Sequence, residues 1–280
     1  MKAPSRLPKK SLRVGIVQMT SGEVISKNVE VISKALESLR DEKCDLICLP
    51  ENALFLRIDK STEQSAVNLK ENFWQEFCDY AQQVKCSLLF GSVALKRREK
   101  KSTSATIWIA PGQKPQAVYE KIHLFDVDVS GAPPQRESQN FEFGKKPRLI
   151  KIHGWNIGLS ICYDVRFAEL YQFYAARNAH LILIPASFLV PTGQAHWHVL
   201  LRARAIESQA FVVAAAQCGG HTNWRGVTRQ TFGHSLVVGP WGEVQMDMGN
   251  SGAKVAAVTL DVAELEKVRK QIPMARHRRI

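Results

Sequence analysis

The 280-residue chain has 45% hydrophobic and 23% charged residues, ordinary values for a globular protein, and this excludes a disordered or fibrous protein. A formal net charge of +12 is compatible with nucleic acid, a membrane surface or anionic small molecules as partners. Much of the excess lies at both chain ends and in a cluster at 96–101, without the interleaved aromatic residues of a base-stacking surface, so we expect neither nucleic-acid nor membrane binding.

Hydrophobic periodicity predicts strands and helices in alternation along most of the chain. The predicted strands cover 12–19, 46–49, 87–95, 104–110, 117–122, 148–152, 156–161, 181–185, 211–217, 235–238 and 254–261. The predicted helices cover 22–43, 65–85, 167–178, 194–209 and 262–271. Without a linker or an internal repeat, this pattern predicts one α/β domain over 11–273, with helices on one or both sides of a large mixed sheet. Basic tails are predicted at 1–10 and 274–280.

The segment 126–144 departs from this pattern, because it loses periodicity and is rich in Pro, Gly and polar residues. It is longer than an ordinary connection between two elements. Loops of such length in a compact domain are often functional, and we expect this one to contribute to a site.

The six cysteines lack the density and spacing of a disulfide framework, so we expect free thiols in a reducing compartment. No apolar stretch reaches the ~20 residues that a membrane helix needs. The N-terminal segment also lacks the apolar core of a signal peptide. Together these features predict a cytoplasmic protein.

Three predicted strands end close to a residue with useful chemistry: Glu51, Lys121 and Cys162. Strand ends that point the same way in a layered α/β protein open onto one crevice, so three distant segments can supply one site. The arrangement predicts an enzyme with an acid/base, a cation and a nucleophile. Taken singly, each residue also has a structural interpretation: a helix cap for Glu51, a solvated strand end for Lys121 and a buried thiol for Cys162.

Cys162 occupies the position of a nucleophile elbow, a sharp turn from a strand into a helix. We expect the helix that follows to lower the pKa of its thiol. No histidine stands at a comparable strand end, so Glu51 is the candidate base and Lys121 the candidate stabiliser of a negative oxygen.

The histidines at 196 and 198 have a spacing that could suggest metal ligands, and His221 and His234 lie further along. Residues two apart on a helix point about 200° apart, so His196 and His198 cannot readily share an ion. We expect no metal site.

The segments 49–52, 119–126 and 158–167 together resemble the nitrilase superfamily of carbon–nitrogen hydrolases, and the likeness extends over 12–273. The resemblance implies a four-layer αββα sandwich, a homodimer packed through helices, and no cofactor. It implies that Cys162 is the nucleophile, Glu51 the general base and later acid, and Lys121 the oxyanion stabiliser together with the backbone N–H of Tyr163. Glu137, in the long loop, would orient the lysine and the substrate. The reaction would pass through a thioester on Cys162.

Further segments at 185–188, 192–197, 202–209 and 212–219 resemble the Nit branch of this superfamily. That branch includes amidases of deaminated glutathione and ω-amidases that hydrolyse α-ketoglutaramate; the segment 214–221 favours the first, with release of ammonia. Tyr163 and Ser187 would contact such a substrate. Because both substrates carry carboxylates, Arg166, or else Arg225 or Arg229, would bind them, unless these are surface residues.

Two observations leave the function open at this point. The segment 222–229 is longer than usual for the branch, which puts the substrate in doubt. The alternatives are an aliphatic amidase, an N-carbamoyl amidase or a true nitrilase. An interaction protein without catalytic activity is a further alternative, although all three triad positions are filled.

Overall fold

The computed structural model describes residues 7–59, 61–97, 101–130 and 133–279. The strands in these ranges are β1 (Leu12–Gln18), β2 (Leu46–Leu49), β3 (Ser87–Leu95), β4 (Ser102–Ile109), β5 (Gln116–Glu120), β6 (Asp126–Val127), β7 (Gln135–Arg136), β8 (Phe141–Glu142), β9 (Arg148–Ile152), β10 (Trp155–Leu159), β11 (Leu181–Leu183), β12 (Phe211–Ala214), β13 (Cys218–Thr222), β14 (Thr228–Phe232), β15 (Leu236–Val238), β16 (Val244–Asp247) and β17 (Lys254–Leu260). The helices are α1 (Ile25–Ser38), α2 (Trp74–Val84), α3 (Ala168–Ala176), α4 (Val190–Ser208), α5 (Val262–Gln271) and α6 (Met274–His277).

The described strands form two main sheets. One has the order β17-β1-β2-β3-β4-β5, with β8 also paired to β4, and the other has the order β16-β15-β12-β11-β10-β9. β1, β2 and β3 run parallel in the first sheet, as do β10, β11 and β12 in the second. Parallel neighbours require crossover connections, which the helices α1 to α4 provide.

The two sheets pack face to face and are covered by helices on their outer sides. Along β1, Ile16 belongs to the buried cluster shared with the second sheet, whereas Val17 belongs to the cluster shared with α1 and α2. Neighbouring residues of a strand point to opposite faces, so both faces of the first sheet are buried. Tyr174 of α3 and Leu201 of α4 pack on the second sheet. The expected four-layer αββα sandwich is thereby confirmed, with two sheets in place of the single large sheet suggested by periodicity alone.

One face of helix α1 packs on the first sheet and also bonds to the chain segment that follows β2. Val29, Ile32 and Leu36 recur at helical spacing and are buried against the first sheet. On the same face, the buried Asn28 side chain accepts from the Gly22 backbone N–H at 2.9 Å and donates to the Leu54 carbonyl at 2.8 Å. These bonds hold the segment that follows β2.

Several predicted elements differ from the structure in their bounds. The helix predicted at 65–85 begins only at Trp74, because Val67 is extended and forms a bridge with Leu95. The strand predicted at 211–217 ends at Ala214. The structure also contains three strands that the sequence did not predict, β13, β14 and β16. The hairpin of β13 and β14 contains Gly and Thr residues and β16 is largely exposed, so none of the three shows a clear alternation of apolar and polar residues.

The predicted tails are only partly covered by the structure. Residues 1–6 of the N-terminal tail, residues 98–100 of the basic cluster and residue 280 lie outside the described ranges. The C-terminal tail contains the short helix α6. Among the helices of the described part, none combines the length and the apolar character needed to cross a membrane.

Gly91 in β3 lies against Pro185, which follows β11 of the second sheet, and a larger residue has no room there. A Cβ atom at this position would lie 2.2 Å from Cβ of Pro185 and 2.4 Å from the Leu49 carbonyl oxygen. We predict that Gly91→Ala lowers the free energy of unfolding by about 1–3 kcal/mol, because the sheets must separate. Urea denaturation measures this change.

The matched control is Gly22→Ala, because a Cβ atom at Gly22 would have no neighbour within 4 Å. This substitution should change the free energy of unfolding by about 1 kcal/mol or less. Equal losses in the two variants would contradict the packing argument.

Candidate active site

Glu51, Lys121 and Cys162 meet at one end of the sandwich. Glu51 follows β2, Lys121 follows β5, and Cys162 follows β10. The Lys121 Nζ lies 2.8 Å from Oε1 of Glu51, and all three side chains line the same cleft between the sheets. The structure therefore brings together three residues that the sequence separates by up to 111 positions.

Lys121 is a buried cation between two carboxylates. Its side chain is 2% exposed, and its Nζ lies 2.8 Å from Glu51 and 2.9 Å from Glu137. Burial lowers the pKa of Lys121, but the negative charges of Glu137 and Glu51 outweigh it, so the pKa is raised well above its usual value. The ammonium group consequently stays charged at neutral pH.

Glu137 lies in the long loop at 126–144, and its side chain is the second carboxylate beside Lys121. It begins a short 3₁₀ turn, Glu137–Gln139, and its Oε2 accepts a hydrogen bond from the Phe125 backbone N–H at 2.6 Å. Burial and the charge of Glu51 raise the pKa of Glu137 against the opposing effect of Lys121. The expectation that the loop contributes to a site agrees with this placement.

Cys162 sits at a sharp turn of the backbone. Its φ of +47° lies in the left-handed region, which costs free energy for a residue other than glycine. Its backbone N–H donates to the Pro185 carbonyl at 2.9 Å, which fastens the turn to the neighbouring strand end. A 3₁₀ turn, Cys162–Arg166, follows in place of an α-helix. The backbone N–H of Tyr163 donates no hydrogen bond to any residue that the structure describes.

The thiol of Cys162 does not have the lowered pKa expected from the sequence, and that expectation is wrong. Burial raises the pKa of Cys162 well above its usual value, and the adjacent Glu51 charge raises it further. Lys121 and the backbone N–H of Ser187 act in the opposite direction but do not compensate. The thiol is therefore protonated at rest, and a reaction at sulfur needs a base beside it. Glu51 lines the same cleft as the thiol.

Asp164 holds the cysteine turn against the lysine segment. Its fully buried carboxylate accepts from the backbone N–H of Ile161 and of His123, each at 2.9 Å. It also accepts from the Tyr119 hydroxyl at 2.7 Å and lies 2.7 Å from Nδ1 of His123. Asp164 is not among the site residues predicted from the sequence. The available signal was an acidic residue two positions after the cysteine in a tight turn, where such side chains often bond to the backbone.

Most of the other side chains that line the cleft are also polar. Its described lining comprises Glu51, Asn52, Arg57, Gln64, Lys121, Phe125, Gln135, Arg136, Glu137, Asn140, Phe141, Cys162, Ser187 and Arg229. Of the residues predicted to contact a substrate, Ser187 is in this lining, whereas Tyr163 and Arg166 are not.

Arg166 contacts aromatic side chains and a histidine outside the cleft lining. Its guanidinium lies over the rings of Tyr163 and Phe188, 5.8 and 5.4 Å from their centres, and 3.1 Å from Nδ1 of His196. Arg225 likewise lies over the Trp224 ring, and it is absent from the described lining.

Arg229 supplies a half-buried cation that faces the cleft from β14. Burial lowers its pKa, although the charges of Glu51 and Cys162 oppose this effect. It donates one hydrogen bond, at 3.0 Å, to the Arg57 carbonyl. Its Nε and the Oγ of Ser187 are buried polar atoms without a partner in the described part of the chain. Buried polar atoms are normally hydrogen-bonded, so these two are candidates for ligand contacts.

Comparisons with known proteins agree with this geometry. The sequence profile of the carbon–nitrogen hydrolase family matches residues 13–270. A deaminated glutathione amidase of Yersinia enterocolitica is 34% identical over 277 residues, which cover 96% of this chain and 94% of the relative. Its counterpart from Synechocystis is 35% identical over 271 residues, covering 94% and 96%. The crystal structure of the Caenorhabditis elegans NitFhit protein superposes with a TM-score of 0.85 at 31% identity, covering 98% of this chain and 66% of that chain.

The buried ion pairs predict a strong effect of removing the cation. Lys121→Met leaves Glu51 and Glu137 facing each other without compensation, and we expect the free energy of unfolding at pH 8 to fall by about 3–5 kcal/mol. Without the opposing lysine charge, the pKa of Glu137 in the folded variant rises further above that of the unfolded chain, so the stability of the variant rises as pH falls toward 5. Urea denaturation at both pH values measures this difference.

Lys10→Met is the matched control, because Lys10 forms an ion pair with Asp45 while its side chain is 54% exposed. An exposed pair contributes about 0–1 kcal/mol. If both variants lost the same stability at pH 8, the buried lysine would not be holding the carboxylates together.

Proposed function

This chain belongs to the carbon–nitrogen hydrolase family and is a hydrolase of carbon–nitrogen bonds, and on that premise we propose that its substrate is deaminated glutathione. The observation that carries the chemistry is the contact of Glu51, Lys121 and Cys162 in one cleft. The two relatives described above, which this chain matches over almost their whole length, are named deaminated glutathione amidase.

In the proposed first step, the Cys162 sulfur attacks the amide carbon while Glu51 takes the thiol proton. The carbonyl oxygen becomes negative, and the Lys121 ammonium and the backbone N–H of Tyr163 stabilise it. The raised pKa of Lys121 supports this role, because the cation is present without prior protonation. The raised pKa of Cys162 explains why the base must act during the attack.

In the second step, Glu51 returns its proton to the leaving nitrogen, and the carbon–nitrogen bond breaks to leave a thioester on Cys162. A water molecule then attacks the thioester carbon and loses a proton to Glu51. The carbon–sulfur bond breaks, the proton returns to sulfur, and the carboxylic acid leaves. Glu137 positions Lys121 throughout, since it contacts Nζ and is itself held by the Phe125 backbone.

The leaving group in this proposal differs from the ammonia expected in the sequence analysis. Glutathione is a peptide, and its amide bonds join amino acids. Cleavage of such a bond releases an amine, whereas ammonia is released only from a primary amide such as that of α-ketoglutaramate. The identity of the nitrogen product therefore distinguishes the two substrate classes.

Arg229 is the residue that we propose for binding a substrate carboxylate, in preference to Arg166. It lines the cleft, and its buried Nε has no partner among the described residues. A carboxylate that accepts from this guanidinium would form a charge-assisted hydrogen bond. The neighbouring Arg57 lines the same cleft and adds positive charge. The homodimer and the cytoplasmic location stay predictions of the sequence analysis.

The proposed function is tested by measuring free amine and ammonia released from deaminated glutathione and from α-ketoglutaramate, side by side. We expect amine release from the first to exceed ammonia release from the second. Cys162→Ala should lower turnover by about a thousandfold or more, because the nucleophile is lost. Its circular dichroism should match the parent protein, since the substitution removes one sulfur atom.

Three other outcomes would contradict parts of this proposal. Preference for α-ketoglutaramate would change the substrate and leave the chemistry in place. Undiminished turnover by Cys162→Ala would exclude the thioester route. No release from either substrate would contradict the proposed substrate and require a panel of other amides to separate a different amidase from a catalytically silent protein.

The carboxylate contact predicts a change in substrate preference. Arg229→Ala should lower kcat/KM for deaminated glutathione by about tenfold or more, mainly through KM, because a charged hydrogen bond is lost. Activity on a small neutral amide should fall much less. Arg225→Ala, four positions away in the same hairpin segment and beside the exposed Trp224, is the control. Equal effects on charged and neutral amides would show that Arg229 acts on folding and not on substrate recognition.

A further inference from the structure

A second group of side chains with potential for ligand binding lies outside the cleft lining. His198 in α4, His234 between β14 and β15, and Asp247 at the end of β16 are the single group of three or more candidate metal ligands among the described residues. Their ligand atoms all lie within 4.8 Å of one another. His198 Nε2 is 3.0 Å from Asp247 Oδ2, and His234 Nδ1 is 2.9 Å from Asp247 Oδ1.

The two chain segments that carry His234 and Asp247 are held together by backbone bonds. The backbone N–H of Gly249 donates to Oδ1 of Asp247 at 2.8 Å, and the N–H of His234 donates to the Gly249 carbonyl at 2.7 Å. His234 has a φ of +53°, a left-handed conformation that turns the chain at this point. The positions of both side chains are thus set by the fold.

The third ligand is brought to this pair by the packing of α4. The indole N–H of Trp197, next to His198, donates to the His234 carbonyl at 2.8 Å. The Phe232 ring stacks on His234 with centres 4.5 Å apart and also contacts His198 edge-on. This hydrogen bond and the aromatic packing restrict the positions of the two histidines.

We propose that His198, His234 and Asp247 bind a divalent transition-metal ion, with zinc the best match. Two imidazole nitrogens and one carboxylate oxygen are ligands that Zn²⁺ accepts in a tetrahedral arrangement. The two histidines are partly buried and Asp247 is exposed, which leaves the fourth position open to water. A hard ion such as Mg²⁺ or Ca²⁺ prefers oxygen ligands and fits this set poorly.

The spacing of His196 and His198 predicts no metal site, because their side chains diverge on the helix, whereas in the structure His198 and His234 both contact Asp247. His196 lies two residues away on the same helix and is occupied near Arg166. His234 is 36 positions away in sequence, and only the packing of α4 against the β14–β15 turn places it beside His198.

The bound ion would stabilise the elements that adjoin the cleft. The backbone N–H of Phe232 donates to the Phe188 carbonyl at 3.0 Å, and Phe188 follows Ser187 of the cleft lining. The strand β14 that ends at Phe232 also carries Arg229. An ion joining α4, the β14–β15 turn and β16 would therefore stabilise the hairpin of β13 and β14 that faces the cleft, without taking part in the chemistry.

The test is zinc binding by the full chain in a Cys162→Ala background, in which the reactive thiol cannot compete for the ion. After treatment with a chelator and its removal, isothermal titration with ZnCl₂ at pH 7.5 should show one zinc per chain with a micromolar or tighter Kd. Zinc at about 100 times Kd should also raise the melting temperature, because it binds the folded chain. MgCl₂ at the same concentrations should produce neither effect.

Matched variants locate the ion. His198→Ala should weaken zinc binding at least tenfold, whereas His196→Ala, the same change at an exposed position of the same helix, should leave Kd unchanged. Asp247→Asn, which nearly preserves side-chain shape, should also weaken binding and serves as the second variant if His198→Ala does not fold. Absence of saturable binding, or equal Kd values for the His198 and His196 variants with Asp247→Asn unaffected, would overturn the proposal. Loss of amidase activity plays no part in this test, so the proposed function can fail independently.

Discussion

The site depends on a single electrostatic arrangement, the buried ammonium of Lys121 between the carboxylates of Glu51 and Glu137. Burial and the charge of Glu51 both raise the pKa of Glu137, and the Lys121 cation opposes them. In turn, the two negative charges keep the lysine protonated although it is fully buried. The ionisation of Lys121 and that of Glu137 therefore depend on each other, and neither pKa is a property of one residue alone.

This arrangement is possible because the four-layer sandwich brings several strand ends to one place. β2, β5 and β10 come from two different sheets, and their ends are joined directly by side chains. Asp164 fastens the cysteine turn to the lysine segment through Tyr119 and His123. The absence of a side chain at Gly91 lets the sheets approach beside Leu49 and Pro185, which lead into Glu51 and Ser187. The packing of the two sheets therefore also fixes the relative positions of the residues in the site.

Much of the site could be predicted from sequence, and the reasons for success and failure are physical. Glu51, Lys121 and Cys162 each follow a buried apolar run, so their location at strand ends follows from local pattern. Arg166 was favoured as a carboxylate ligand for its nearness to the cysteine in sequence, yet the 3₁₀ turn directs it onto aromatic rings away from the cleft lining. Arg229 and Arg57 come from segments without regular periodicity, where no local signal reports which way a side chain points. The thiol pKa depends on total burial and on Glu51, neither of which the following helix reveals.

By itself, the sequence determined the class of the fold, most of its strands and helices, the family and three candidate reactive residues, because local periodicity and short motifs encode these. Only the tertiary structure decided how the groups act on one another, since Coulomb interactions and desolvation depend on distances and burial that no spacing along the chain specifies. The same reason explains the histidines. Spacing showed that His196 and His198 diverge, but only the packing of a helix against a distant turn shows that His198 meets His234 and Asp247.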